Sequence, residues 1–267
     1  MRRVAFYLAL ALVAFVPFSL VGIAPVASAA KPSAAKLLAQ LTFVSNQVNA
    51  GISPTFKYAT TGTPAGSKLY LQRQFGLDHV WTTVEQLNGL DGTATTVGVP
   101  QGRYHYRLAV YASSRFVTTS SVALLYSYGP VSLTSLCRAP NVKLQQGNCN
   151  SGTVQVGSHV FGYEMIGNYY GIKYPTYNNF LTFPANRCRT LSLTFTLGNS
   201  KSPGEVAYVQ ILQTTLNPQH SSVAQGSPGT LVAQLDRGPW YLQNSSATYG
   251  QSIYYDGFAS CWSADGE

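Results

Sequence analysis

The side chains best suited to chemistry in this sequence are aromatic rings and amides. The stretch from Gly238 to Trp262, GPWYLQNSSATYGQSIYYDGFASCW, holds Trp240, Tyr241, Tyr249, Tyr254, Tyr255, Phe258 and Trp262. A second group lies in the connection Ile166–Asn179, where Tyr169, Tyr170, Tyr174 and Tyr177 are interleaved with Asn168, Asn178 and Asn179. Flat rings stack on the C–H faces of sugars, and amides bond sugar hydroxyls. Binding residues gather on loops at one end of a scaffold, and connections longer than about 12 residues in a compact domain are usually functional or disordered. Tyr169, Tyr170, Tyr174, Tyr177, Asn178 and Asn179 are therefore the candidate ligand-binding set. The competing explanation is packing, because singly exposed aromatics need no ligand.

Acid–base and nucleophilic chemistry are poorly supplied. The chain has 9 Asp and Glu residues, and a glycosidase must place two carboxylates across one bond. Glu164, Asp236 and Asp256 are the best placed, but Asp236 opens the turn D-R-G-P and Asp256-Gly257 is a hairpin signal. Cys149 could be drawn with His159 or His220 as a thiolate pair, but a disulfide explains it better. No G-x-S-x-G, H-E-x-x-H, phosphate-loop or EF-hand pattern occurs. No catalytic residue, enzymatic activity or bound metal is expected. No cofactor is expected either, with a structural Ca²⁺ on loop carbonyls near Asn148 and Asn150 left open.

The N-terminus places the chain outside the cytoplasm. Met1-Arg2-Arg3 is a basic start, Val4 to Pro25 is almost wholly apolar, and Val26-Ala27-Ser28-Ala29 is a small-residue cleavage pattern. Residues 1–29 read as a secretory signal peptide cut after Ala29, with an uncleaved anchor as the alternative. No later segment is apolar enough to span a bilayer. Cys137, Cys149, Cys188 and Cys261 form an even set, which pairs in an oxidising compartment. Four cysteines allow three pairings; sequence proximity favours Cys137–Cys149, which leaves Cys188–Cys261.

Charged residues are only 10% of the chain, against about 25% in ordinary domains. Apolar content of 45% still permits a large core, so the composition is not that of a disordered chain. Basic residues are scattered, which argues against a nucleic-acid partner. The net charge of +8 is compatible with a mild preference for anionic polymers.

The elements that must position these residues are strands. Leu37, Leu41, Val44 and Val48 recur at helical spacing behind Ser33, so a short helix is expected within 33–49, with a strand over Leu41–Ser45 as the alternative. From Thr55 onward the period is two, with turn clusters TGTPAG, NGLDG and PQG. Phe116–Tyr128 and Val131–Cys137 each read as one strand, and Tyr128-Gly129-Pro130 reads as a joint between two domains, 30–130 and 131–267. Alternation puts Trp240 and Leu242 on a core face. Asp256-Gly257 is expected to turn the chain between Ile253–Tyr255 and Phe258–Ser260, with Ala259 and Cys261 inward and Phe258, Ser260 and Trp262 opposite; the alternative is a strand running straight through with Gly257 as a bulge, which shifts these assignments by one.

Two resemblances add to this reading. Val80-Trp81 through Leu87, followed by Pro100-Gln-Gly102-Arg-Tyr104-His-Tyr106-Arg-Leu108, resembles a bacterial fibronectin type III or immunoglobulin-like domain over roughly 51–130. That resemblance implies that Tyr106 is a corner tyrosine with an inward ring and a loop-capping hydroxyl, and that Trp81 is core. Further on, Val154-Gln-Val156 with His159-Val-Phe161-Gly-Tyr163, then Cys188 to Phe195, Val206 to Gln210 and Tyr255-Asp-Gly257…Cys261, is similar to the carbohydrate-binding modules of glycosidases, which are galactose-binding-like jelly rolls. Here His159 precedes the place of that family's G-x-H segment, so only the fold is carried over. The expectation is an all-β, secreted, non-catalytic protein of two tandem sandwiches. Its partner would be a polysaccharide or cell-wall polymer, or alternatively a surface protein; a glycoside-active enzyme is the third reading.

Overall fold

A computed structural model describes residues 37–140, 142–144, 148–156, 158–168, 178–183, 187–198, 206–213, 219–224, 227–235, 239–246 and 252–263. The expected signal peptide lies outside the described residues. The fold is all-β, with a single short helix among the described residues.

The first half contains β1 (Leu38–Phe43), β2 (Gln47–Asn49), β3 (Thr55–Thr61), β4 (Lys68–Phe75), β5 (Thr82–Leu87), β6 (Asp91–Thr95), β7 (Gly102–Ala112), β8 (Arg115–Thr119) and β9 (Ala123–Ser132). One sheet runs β1-β3-β6; the facing one runs β9-β7-β4-β5, with β8 beside β7 and β2 parallel to β9. Strict alternation produces this sandwich. On β7, Tyr104, Tyr106, Leu108 and Val110 point into the core with Phe56, Leu71 and Leu125, while Arg103, His105 and Arg107 point out.

Several local expectations change here. The segment expected as a helix is β1 and β2. Ala39, Leu41 and Phe43 meet the core at period two, whereas Val44 is 64% exposed, so pairing with β3 overrides the helical spacing. Trp81 is not core: it is partly exposed, with the Arg107 guanidinium 4.1 Å from its ring centre. Tyr106 is fully buried as expected, but its hydroxyl caps no loop: it has no partner at full hydrogen-bond geometry, and its polar neighbour is the Arg73 guanidinium. Tyr104 provides the loop cap instead, donating to the Pro100 carbonyl at 3.1 Å. Burial raises the pKa of both phenols, with Arg73 acting the other way. The strand expected over Phe116–Tyr128 breaks at Ser120, whose hydroxyl accepts from Leu108 N–H at 2.9 Å.

The second half contains α1 (Leu133–Arg138), β10 (Lys143–Leu144), β11 (Gly152–Val156), β12 (His159–Tyr163), β13 (Met165–Asn168), β14 (Asn178–Phe183), β15 (Cys188–Leu197), β16 (Val206–Gln213), β17 (Gln219–Ala224), β18 (Gly229–Gln234), β19 (Trp240–Ser246) and β20 (Ser252–Cys261). A five-stranded sheet, β10-β14-β19-β16-β17, accompanies the run β18-β15-β20, with β13 on β20 and β11-β12 as a separate hairpin. The strand expected over Val131–Cys137 ends at Ser132, which caps α1 by accepting from Ser135 N–H; Leu133, Leu136 and Cys137 then fall on one buried helical face. Leu191, Leu193, Phe195, Val209, Ile211, Trp240 and Leu242 form the second core.

Asp256-Gly257 is not a turn. β20 runs straight through in register with β15, pairing Asp256 with Thr194 and Gly257 with Leu193. The inward face keeps Ile253, Tyr255, Ala259 and Cys261, and the opposite face carries Phe258, Ser260 and Trp262. Gly257 is required where it stands: its φ is +144°, and a Cβ there would lie 2.1 Å from the Ser192 carbonyl oxygen.

The expected joint lies inside β9. Tyr128 pairs with Asn49 of the first half, and the next residue, Gly129, pairs with Cys261 of the second. One ten-stranded sheet, ordered β18-β15-β20-β9-β7-β4-β5 along its main path, therefore spans both cores. Side chains reinforce the seam. Gln101 Nε2 donates to the Cys261 carbonyl at 2.9 Å, Trp262 packs on Tyr126, and Arg189 lies over the Tyr128 ring while donating to Asn49.

Candidate functional site

The candidate set chosen from sequence divides in two. Tyr169, Tyr170, Tyr174 and Tyr177 lie outside the described residues. Asn178 and Asn179 open β14, in register with Asn244 and Gln243 of β19. Both expected disulfides are present, Cys137–Cys149 and Cys188–Cys261, so Cys149 has no thiolate to offer His159. Of the three candidate carboxylates, Glu164 is taken up structurally: the Thr134 hydroxyl donates to its carboxylate at 2.7 Å and ties α1 to the bend between β12 and β13. Asp256 sits on β20, and Asp236 lies outside the described residues. Among the described residues no group of three or more His, Cys, Asp or Glu could hold a metal ion.

A concave site does exist, on the first sandwich. It is a cleft of about 350 Å³ on the outer face of β4, β5 and β7, lined by Lys68, Tyr70, Thr83, Tyr111 and the turns holding Gly66 and Ser113-Ser114. Its size is within the range of small-ligand sites. The sequence builds it in three steps. Leu69 and Leu71 point into the core, which turns Lys68, Tyr70 and Gln72 outward. Register sets Lys68 opposite Tyr111, and Tyr70 opposite Ala109. Tyr70 and Tyr111 then meet edge to face, with ring centres 5.4 Å apart, and Phe116 extends the cluster at 5.7 Å from Tyr111.

The two turns form the rim. Pro64-Ala65-Gly66-Ser67 closes with Ser67 N–H donating to the Pro64 carbonyl, and Gly66 takes the positive φ (+73°) that such a turn needs at its third residue. Between β7 and β8 the two-residue turn is Ser113-Ser114, both at positive φ (47° and 67°) although neither is glycine. That strain keeps two hydroxyl residues at the mouth where Asn-Gly or Gly-Gly would be the relaxed choice.

The floor continues into a cation. Arg107 donates from Nε to Gln72 Oε1 at 2.9 Å and stacks on Trp81. Gln72 is in register with Thr83, which joins this group to the cleft. Desolvation lowers the Arg107 pKa and the nearby Tyr111 acts the other way. A guanidinium remains protonated in proteins, so the site offers rings, hydroxyls, an amide and fixed positive charge.

Sequence reasoning missed this cleft. Its available signal was the alternation Lys68-Leu-Tyr70-Leu-Gln72, which turns an aromatic outward, together with a Ser-Ser hairpin where a glycine is usual.

No protein-family model matches the sequence, and no curated protein matches it. Among solved structures, a marsupial T cell receptor aligns with 85% of this chain and 71% of its own at 7% identity and a TM-score of 0.30. SGBP-B from a complex xyloglucan utilization locus in Bacteroides uniformis aligns with 84% of this chain and 72% of its own at 10% identity and a TM-score of 0.24. At these scores neither likeness bears on function.

Proposed function

We propose that the chain is a secreted, non-catalytic binding protein that recognises carbohydrate or a cell-envelope polymer. The observation that carries this reading is the cleft lined by the touching rings of Tyr70 and Tyr111, where aromatic faces, hydroxyls and a lysine converge. Secretion is supported by the two disulfides, which persist in oxidising compartments. The three-stranded β1-β3-β6 sheet over β5-β4-β7-β9 supports a fibronectin type III-like first domain. The jelly-roll identity of the second half, and a further ligand surface at Tyr169, Tyr170, Tyr174 and Tyr177, belong to the same proposal. The test is a glycan array and a cell-wall pull-down with residues 30–267. Tyr70→Ala with Tyr111→Ala should weaken retention at the cleft, and Tyr170→Ala with Tyr174→Ala should weaken it if the second surface is used. Retention of the wild type on no glycan or wall fraction overturns the reading.

The second reading is protein binding. It rests on Phe75 at the end of β4 and Leu77 and Val80 in the β4–β5 connection, which are 50%, 64% and 67% exposed. Loss of a protein partner on Leu77→Asp, with glycan retention unchanged, would favour it.

A further inference from the structure

Resting on the carbohydrate reading, we infer that the ligand of the first sandwich is an acidic glycan, whose chain lies along β4 and β7 and whose anionic group is held by Arg107. The cleft and the Arg107–Trp81 pair are one surface. The register pair Lys68–Tyr111 and the register pair Gln72–Arg107 are four residues apart on the same face. At a rise of ~3.4 Å per residue they stand about 14 Å apart, long enough for several sugar units. Tyr70 lies between them and offers a ring.

The two ends of this track are positive. Lys68 is exposed at one end. At the other, Arg107 is held flat by Trp81 and by the single bond from Nε to Gln72. Its two terminal nitrogens have no hydrogen bond among the described residues, which leaves one edge of the planar fork for a carboxylate, sulfate or phosphate. Stacking and the Gln72 bond fix the orientation beforehand, so little ordering cost remains when an anion arrives. The carboxylates of the first half do not oppose it. Glu85 is in register with the inward Leu71, Asp91 is on β6 of the other sheet, and the charge effect on Arg107 comes from Tyr111 rather than from Asp78. A neutral glycan would offer no anion to the free edge of the oriented guanidinium.

The experiment is affinity electrophoresis of residues 30–267 through gels containing polygalacturonate, dextran sulfate, a phosphodiester-linked wall polymer, or neutral dextran and β-glucan. The acidic polymers should retard the protein and the neutral ones should not; the acid retarded most tells carboxylate from sulfate or phosphate. Arg107→Gln should weaken that retardation by about tenfold, the loss of one charge-assisted contact. Arg107→Lys should recover only part of it. Lys68→Gln, at an exposed position, provides a second variant that does not depend on the Trp81 stack. Equal retardation by neutral polymers overturns this inference and leaves the carbohydrate reading standing. Acidic retardation unchanged in both Arg107→Gln and Lys68→Gln also overturns it, since the charge effect would then be diffuse. Retardation by no polymer overturns both.

Discussion

The two halves of the sheet solve the same problem with different means. In the first, short connections carry strain and side-chain caps: Ser113-Ser114 and Gly66 at positive φ, Tyr104 bonded to the Pro100 carbonyl, and Tyr58 bonded to the Asn88 carbonyl at 2.7 Å. It contains no cysteine. In the second, two disulfides do the closing, one across the 12-residue separation Cys137–Cys149 and one across the 73-residue separation Cys188–Cys261. Close turns need little cross-linking because the chain is already folded back. Distant segments gain most from a bond that restricts the unfolded state.

The largest expected effect tests that contrast directly. Replacing Cys188 and Cys261 with Ser should cost about 4 kcal/mol and replacing Cys137 and Cys149 about 3 kcal/mol on a loop-entropy scale, read from urea unfolding. Under reducing conditions calorimetry should move one transition, and the transition assigned to fragment 31–129 should keep its midpoint. If fragments 31–129 and 131–267 each unfold cooperatively, the division into two folding units holds. If neither folds alone, the shared sheet makes them one unit.

Next in size is Gly257→Ala. The added Cβ would meet the Ser192 carbonyl oxygen at 2.1 Å, in a backbone conformation that side chains rarely adopt. A loss of about 3 kcal/mol is expected, from overpacking and backbone strain together. A change below the error of the unfolding curve would mean that β15 and β20 separate easily.

Smaller, and more discriminating, is the pair of tyrosines on β7. Tyr104→Phe removes a hydrogen bond to the Pro100 carbonyl and should cost about 1 kcal/mol. Tyr106→Phe removes a buried hydroxyl that caps no loop and whose polar neighbour is Arg73, and should cost less than Tyr104→Phe. The reverse order would restore Tyr106 as the capping residue. The smallest effect concerns His105, whose pKa is lowered by desolvation and by Arg103. The unfolded chain takes up the proton first, so stability should decline as pH falls below about 6.5. His105→Gln should flatten that slope in thermal midpoints measured between pH 7.5 and 5.

Most strands were legible because alternation survives any tertiary context that buries one face. The inward parity of Trp240 followed from period two and the apolar Leu242, and that of Ala259 from period two once Cys261 had to face its disulfide partner. The N-terminal segment was harder, since Leu37, Leu41, Val44 and Val48 fit a helical stripe and only the partner β3 selects the strand. Gly129-Pro130 reads locally as a breaker. The pairing of β9 with β7 ends at Ser127, however, so a proline lacking its N–H sits where only β20 is alongside. The cleft was hidden for a similar reason. Tyr70 and Tyr111 are distant in sequence and meet through a register that no local pattern states.

The strand that passes between the two cores has a mechanical consequence. A peptide linker lets two bodies swivel by turning a few dihedrals, whereas β9 has its backbone committed to β7 and β2 on one side of the seam and to β20 on the other. Bending at the seam has to strain the ladders of β9, so torque on the second half is passed toward the cleft through that strand. The proposed polymer, if it touches both halves, would meet contact points carried on one shared sheet. It matches their spacing and gains from holding at two places, or it misses and is held at one, since no flexible tether averages over intermediate distances.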